Sequence, residues 1–194
     1  MYTILAPFYD GIVAAPTRAA RRRSLAQLGD EVQGLNILLC GIGTGLDIPY
    51  LPAGARYIGI DFTYQMLKRA QRRVKNRQDI HLHQGNVMQL PYRSQCFDMV
   101  IMHLILAVVP SPQQALDEAT RVLVPNGKLL IFDKFLKPGQ RAPVRRLLSP
   151  LIGKIATRTD VVFEQLACPM LTVLSDTPAL AGGWFRHILL RKQP

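Results

Sequence analysis

Acidic side chains are scarce in this chain of 194 residues: 13 Asp and Glu stand against 24 Lys and Arg, a formal charge of +11. A field of that sign favours anionic partners (nucleic acid, an acidic membrane surface, anionic small molecules) and says nothing about fold. Aromatic residues are few as well, at 7%. The basic clusters at 18–23 and 141–158 contain none of them, whereas single-strand binding wants aromatics interleaved with cations, so nucleic acid is the least favoured partner. The three cysteines, Cys40, Cys96 and Cys168, form no CxxC pair. That supports neither a disulfide framework nor a metal site and points to a reducing interior. No basic segment followed by a long apolar run opens the chain, so no signal peptide is read. The most apolar stretch, Met99 to Val109, stops at Pro110, well short of the roughly 20 residues that cross a bilayer. Repeats and low-complexity tracts are missing too. A cytoplasmic protein is expected, soluble or peripheral on the inner face of the membrane.

What the chain does contain is core material: 48% of its residues are apolar and only 19% charged, ample for one domain spanning 1–194. Short apolar runs alternate with helical patterns. Strands are predicted at Asn36–Cys40, Arg56–Ile60, Ile80–His83, Phe97–Met102 and Lys128–Phe132. Between them, Gln65 to Arg77 places Leu67, Ala70 and Val74 on one helical face. Ser111-Pro112 is a helix start followed by Leu116, Ala119 and Leu123. Repeated β-α-β units predict an α/β fold, a doubly wound, mostly parallel sheet with helices on both faces. Leu171–Ser175 and Trp184–Arg191, joined by Thr177–Gly183, add an antiparallel C-terminal hairpin and bring the count to seven strands. Residues 1–30 read as an N-terminal helical cap, and 137–160 as a basic amphipathic lid.

The strongest local signal is Leu38-Leu39-Cys40-Gly41-Ile42-Gly43-Thr44-Gly45. A strand runs into a glycine-rich turn that opens a helix, where backbone can approach a ligand closely. The spacing is G-x-G-x-G rather than the G-x-G-x-x-G of dinucleotide sites, which suits a ligand without a pyrophosphate. Asp61 ends the second strand twenty residues after Gly41, where a carboxylate can accept both hydroxyls of a ribose. It also suits the cap of the helix that follows. Gly85-Asn86-Val87 offers a polar side chain for an adenine edge or, equally, an ordinary turn.

CGIGTGLDIPYL, YIGIDFTYQMLKRA, GNVMQLPYRSQCFDMVI and ALDEATRVLVPNGKLLIFD, in that order, resemble the class I S-adenosylmethionine-dependent methyltransferases with their Rossmann-like sheet. APFYDGIVAAPTRAARR and HLILAVVPSP are similar to the small bacterial branch of ubiquinone/menaquinone and phosphatidylethanolamine N-methyltransferases. The resemblance implies S-adenosylmethionine as cofactor. Gly41, Gly43, Thr44 and Gly45 would cradle its methionine part, Asp61 the ribose, Phe62 or Met66 the adenine face, and Asn86 and Val87 the adenine edge. His103 and Leu104 would flank the transferred methyl, and Tyr9 would close over the site. Leu39 and Asn86 stand where the family usually has acids. For an amine acceptor, Asp10, His103 and Asp133 are candidate bases; His103 reads equally as a satisfied polar group at a strand end, and residues such as Asp10 and Asp133 are more often caps or turn residues than bases.

Seventeen of the 24 cations fall in three groups: Arg18–Arg23, Lys68–Arg77 and Lys134–Arg158. In the last, Leu147, Leu148, Leu151, Ile152 and Ile155 interleave with the charges, as in a segment lying on an anionic bilayer or in a lid packed on the sheet. The expected acceptor is therefore a lipid or lipophilic molecule at the membrane surface. The phosphatidylethanolamine head group leads, with a quinone-type compound, another small molecule, or a non-catalytic cofactor-fold protein as alternatives.

Overall fold

The computed structural model describes residues 2–29, 32–136 and 161–194, with side chains from residue 14 onward. The lid read over 137–160 and the side chains of Tyr9 and Asp10 lie outside the described residues. Helix α1 (Tyr2–Ala26) leads into β1 (Asn36–Cys40), β2 (Arg56–Asp61), α2 (Tyr64–Val74), β3 (Ile80–Gln84), β4 (Phe97–His103) and α3 (Pro112–Val122). After these come β5 (Leu123–Lys134), β6 (Leu171–Leu180) and β7 (Phe185–Lys192). The strands form one sheet in the order β3-β2-β1-β4-β5-β7-β6. The first five are parallel, while β7 runs antiparallel to both β5 and β6.

Alternation along the strands divides the core between the two sheet faces. Leu38, Cys40, Val100, Met102 and Ile131 pack with Ala115, Leu116 and Ala119 of α3. Ile37, Leu39, Met99, Ile101 and Leu130 pack with Leu67, Ala70 and Val74 of α2 and with Leu25 from the end of α1. Ser111 caps α3 as its sequence position predicts, its hydroxyl accepting from Gln114 N at 3.3 Å with Pro112 at the first helical position. At the other end, Lys192 Nζ donates to the carbonyls of Thr120 and Leu123 at 2.8 and 2.7 Å, closing the turn where α3 becomes β5.

Two local expectations are corrected. The glycine turn after β1 opens no α-helix: only a three-residue 3₁₀ turn, Ile48–Tyr50, follows. Pro49 and Pro52 remove backbone donors from this short crossover and Gly54 takes φ +99°, so a regular helix cannot propagate. The C-terminal hairpin connection is also tighter than Thr177–Gly183. β6 continues through Pro178 to Leu180 as an edge strand with two register shifts, the setting in which a strand tolerates proline.

Since β1 sits between β2 and β4, the chain leaves it in one direction for β2 and β3 and resumes on its other side with β4. This reversal opens a crevice at the carboxyl ends of the strands, where doubly wound sheets bind their ligands.

Candidate active site

The crevice is a cavity of about 670 Å³ whose wall takes residues from the carboxyl ends of all five parallel strands: Gly41 and Gly43, then Asp61, Phe62 and Thr63, then Asn86 and Val87, then Leu104 and Ile105, then Asp133. Met66 of α2 completes one side. Pro16 and Thr17 of α1 come from above, and Leu180 and Phe185 come from the hairpin. Seven of the residues singled out in the sequence, Gly41, Gly43, Asp61, Phe62, Met66, Asn86 and Val87, therefore meet on one surface, with Leu104 beside them.

Asp61 is held by backbone: Gly43 N donates to Oδ2 and Thr63 N to Oδ1, each at 2.8 Å. Two lone pairs remain for a ligand's hydroxyls. Burial raises its pKa above the usual carboxylate value, with the Thr63 and Gly43 bonds acting the other way. Gly43 has φ +58°, and a Cβ there would meet nothing nearer than the Gly41 carbonyl at 3.9 Å, so the missing side chain leaves free space on the cavity wall. Asn86 spends its Oδ1 on Met88 N at 2.9 Å, which leaves its amide donor to face a ligand. Phe62 is 73% exposed at the mouth.

Thr44, Gly45 and His103 do not line the cavity. Thr44 is buried, and its carbonyl accepts from Arg73 Nη1 at 2.6 Å. Gly45 is a packing position, because a Cβ there would lie 2.6 Å from Ile48 Cδ1 and 3.2 Å from the Ala70 Cα of α2. His103 is 5% exposed and both of its nitrogens are engaged, Nδ1 with Asp47 Oδ1 and Nε2 with Ser24 Oγ, each at 3.0 Å. It is placed behind the wall instead of flanking the transferred group. Its neighbour Leu104 takes the cavity position with φ +56°, an uncommon backbone for a branched residue and the kind of strain that gathers at functional sites. Leu39 lies in the apolar face under α2, and the buried carboxylate of this loop is Asp47.

Gly43 and Gly45 therefore differ in role and should respond differently to alanine. Gly43→Ala carries a left-handed strain of about 1–2 kcal/mol and puts a methyl into the free space on the cavity wall, so affinity for a ligand bound beside Asp61 is expected to drop while the melting temperature falls modestly. Gly45→Ala adds a clash with α2 to the same strain, so it lowers the melting temperature more and changes affinity less. Calorimetric titration beside thermal unfolding reads both.

Sequence reasoning missed the apolar wall of Ile105, Ala107, Val108, Val109, Leu180 and Phe185, although the run LILAVVP directly after β4 carries the signal for the first four.

A cavity at the switch point of a parallel sheet, with a carboxylate that keeps free acceptor sites beside a glycine loop, defines an α/β protein of the doubly wound class with a site suited to a nucleoside-bearing ligand. A methyltransferase-domain family model matches residues 38–131. A demethylmenaquinone methyltransferase of Lactiplantibacillus plantarum is 35% identical over 177 residues, 86% of this chain and 72% of its own. A phosphatidylethanolamine N-methyltransferase of Cereibacter sphaeroides is 28% identical over 190 residues, 95% of this chain and 93% of its own. The fold of a SAM-dependent methyltransferase from Aquifex aeolicus matches with a TM-score of 0.66 at 15% identity, over 96% of this chain and 98% of that one. The chain belongs to the S-adenosylmethionine-dependent methyltransferases. Its residues fit that cofactor: Asp61 has acceptor capacity for the ribose, and Gly43 leaves room on the wall beside it.

Proposed function

We propose that the acceptor is a lipid or lipophilic molecule presented at an anionic membrane surface, and specifically the amine head group of phosphatidylethanolamine. The carrying observation is the composition of the cavity away from Asp61: Leu104, Ile105, Val108, Val109, Leu180 and Phe185 enclose a space that strips water from whatever enters. When bound, S-adenosylmethionine supplies a methyl group already activated toward nucleophiles. The protein's part is to hold the acceptor in line and exclude water, a positioning effect worth about 7–11 kcal/mol when geometry is good. Apolar walls also disfavour an ammonium ion, so an amine entering them is pushed toward the neutral, nucleophilic form.

The mouth supports a membrane partner. Phe62 is exposed there and Tyr64 is exposed at the start of α2, and Lys68, Arg72 and Lys75 continue from them along the exposed face of α2, which carries no acidic residue. Lys68 Nζ sits 5.0 Å from the centre of the Tyr64 ring. Aromatics at the headgroup level with cations beside them suit an anionic interface, each cation contributing about 1 kcal/mol. Among the described residues no helix is long and apolar enough to cross a membrane.

Quinone-type acceptors are the second reading, favoured by the 35% identity to a demethylmenaquinone methyltransferase. Incubation with methyl-labelled cofactor and vesicles of mixed phosphatidylethanolamine and phosphatidylglycerol tests the first. Label in N-methylated phosphatidylethanolamine is expected. Label confined to the quinone fraction of a total lipid extract favours the second reading, and label confined to water-soluble metabolites overturns both.

A further inference from the structure

Behind the cavity lies a buried polar cluster, Asp47, His103, Arg21 and Ser24, that reaches the cavity wall through Thr17. Asp47 Oδ1 accepts from Arg21 Nη1 at 2.8 Å and from His103 Nδ1 at 3.0 Å. Since an ionised carboxylate only accepts, His103 donates from Nδ1, and its Nε2 is bonded to the Ser24 hydroxyl at 3.0 Å. Arg21 Nε donates to Thr17 Oγ1 at 3.1 Å. Burial works to raise the Asp47 pKa, but His103 and Arg21 outweigh it and hold the carboxyl well below the usual range.

Carboxylate, imidazole and hydroxyl in series are also the components of a hydrolytic nucleophile relay. That reading fails on access. Ser24 is fully buried on the inward side of α1 and borders no part of the cavity, and Asp47 shares its oxygen with an arginine.

What the cluster does join is three walls of the active site. Asp47 ends the loop that brings Gly41 and Gly43 to the cavity. Arg21 and Ser24 lie on α1, whose Pro16 and Thr17 roof it, and His103 precedes the strained Leu104. Both partners of the ion pair are buried, so a shift of the loop that parts them leaves two desolvated charges uncompensated. The loop and the roof must therefore move as one.

We propose that Asp47 is a positioning residue that couples the cofactor loop to α1, so that filling the cofactor site holds the roof of the acceptor cavity in place. By reciprocity, a docked α1 strengthens cofactor binding by the same factor. The inference rests on the cofactor site and is independent of which acceptor binds.

Amide hydrogen exchange over residues 17–26, with and without saturating S-adenosylhomocysteine, tests it. In the native protein the ligand is expected to slow exchange there about tenfold. In Asp47→Asn the ligand still binds by calorimetry, about tenfold more weakly, but leaves exchange of α1 within about twofold of the ligand-free rate. Arg21→Gln, which alters the cluster from the helix side, should behave alike and serves if Asp47→Asn does not fold, while Arg21→Lys should restore part of the response. A purely structural salt bridge would lower the melting temperature and leave the ligand response of α1 intact, and that result overturns the proposal. So does a native protein that binds the ligand without protecting α1. Absence of calorimetric binding to the native protein would instead remove the cofactor site itself.

Discussion

Replacing Asp61 by alanine is expected to weaken S-adenosylhomocysteine binding at least about 100-fold, because hydrogen bonds to a charged group contribute about 1.5–3 kcal/mol each and two ribose hydroxyls lose their acceptor. The same substitution frees Gly43 N from Oδ2, so the glycine loop loses its side-chain tie to β2 and keeps only the backbone bonds of Gly41 N and Ile42 N to the Ile60 carbonyl. Asparagine is no remedy. Both carboxylate oxygens face a backbone N–H, so whichever way the amide turns, its NH₂ opposes a donor. The pH dependence follows from the raised pKa of the free protein, caused first by burial. Hydroxyl donors from a ligand stabilise the ionised carboxylate. Affinity should therefore rise with pH through a window just above the ordinary aspartate value and then level off. A calorimetric series across that window checks the direction; affinity that falls with pH there would contradict the assignment.

The second large effect concerns Asp133. Asp133 belongs to the cavity wall and is fully buried. Oδ1 accepts from Lys134 N at 2.8 Å and Oδ2 from Ala107 N at 3.2 Å, so the carboxylate pins the segment after β4 to the end of β5. Asp133→Ala leaves these donors buried and unpaired, at about 1–3 kcal/mol each. Loss of several kcal/mol in a urea titration is expected, together with a collapse of the acceptor wall.

Burial also pushes the Asp133 carboxyl up to about 6, against the pull of the backbone donors. The folded protein holds this proton where the unfolded chain has released it. The contribution of Asp133 is thus most favourable below about pH 4 and is lost as pH rises through about 6, by about 3 kcal/mol in all. His187 acts in the opposite direction. Burial lowers its pKa to about 4, with the charge of His103 adding to the effect, so stability present above its ordinary value near 6.5 is lost as pH falls toward 4. The two slopes oppose each other over the same range. Removing one by Asp133→Asn should leave melting temperature rising with pH between 4 and 6 more steeply than in the native protein; an unchanged slope would place the titration elsewhere.

The parallel strands and the helices beside them were legible because each is a local pattern. Asn36–Cys40 is a run of apolar residues on both faces, and Ser111-Pro112 announces α3 through its own cap. Gly43 and Asp61 were legible for the same reason, each marking a strand end by residue type. The loop after Gly45 was misread because strand-then-glycines is ordinarily followed by a helix, and Pro49 and Pro52 outweigh that habit.

Which of its two readings His103 takes, flanking the transferred methyl or satisfied at a strand end, was not legible for a different reason. A strand-end histidine at the carboxyl edge can point into the crevice or under it, and the partners that decide the matter lie far off in the chain, Asp47 at 56 positions and Ser24 at 79. Nothing within a helical turn or a strand period of His103 carries that information.

By itself, then, the order of residues determined a doubly wound sheet, a glycine turn and a carboxylate one strand apart, because periodicity and turn chemistry act over a few positions. Only the tertiary structure decided which polar groups face the cavity and which are bonded away behind it. Hydrogen-bond partners and burial are properties of elements brought together across the whole chain, and they exist only once α1 is docked on the carboxyl ends of the strands.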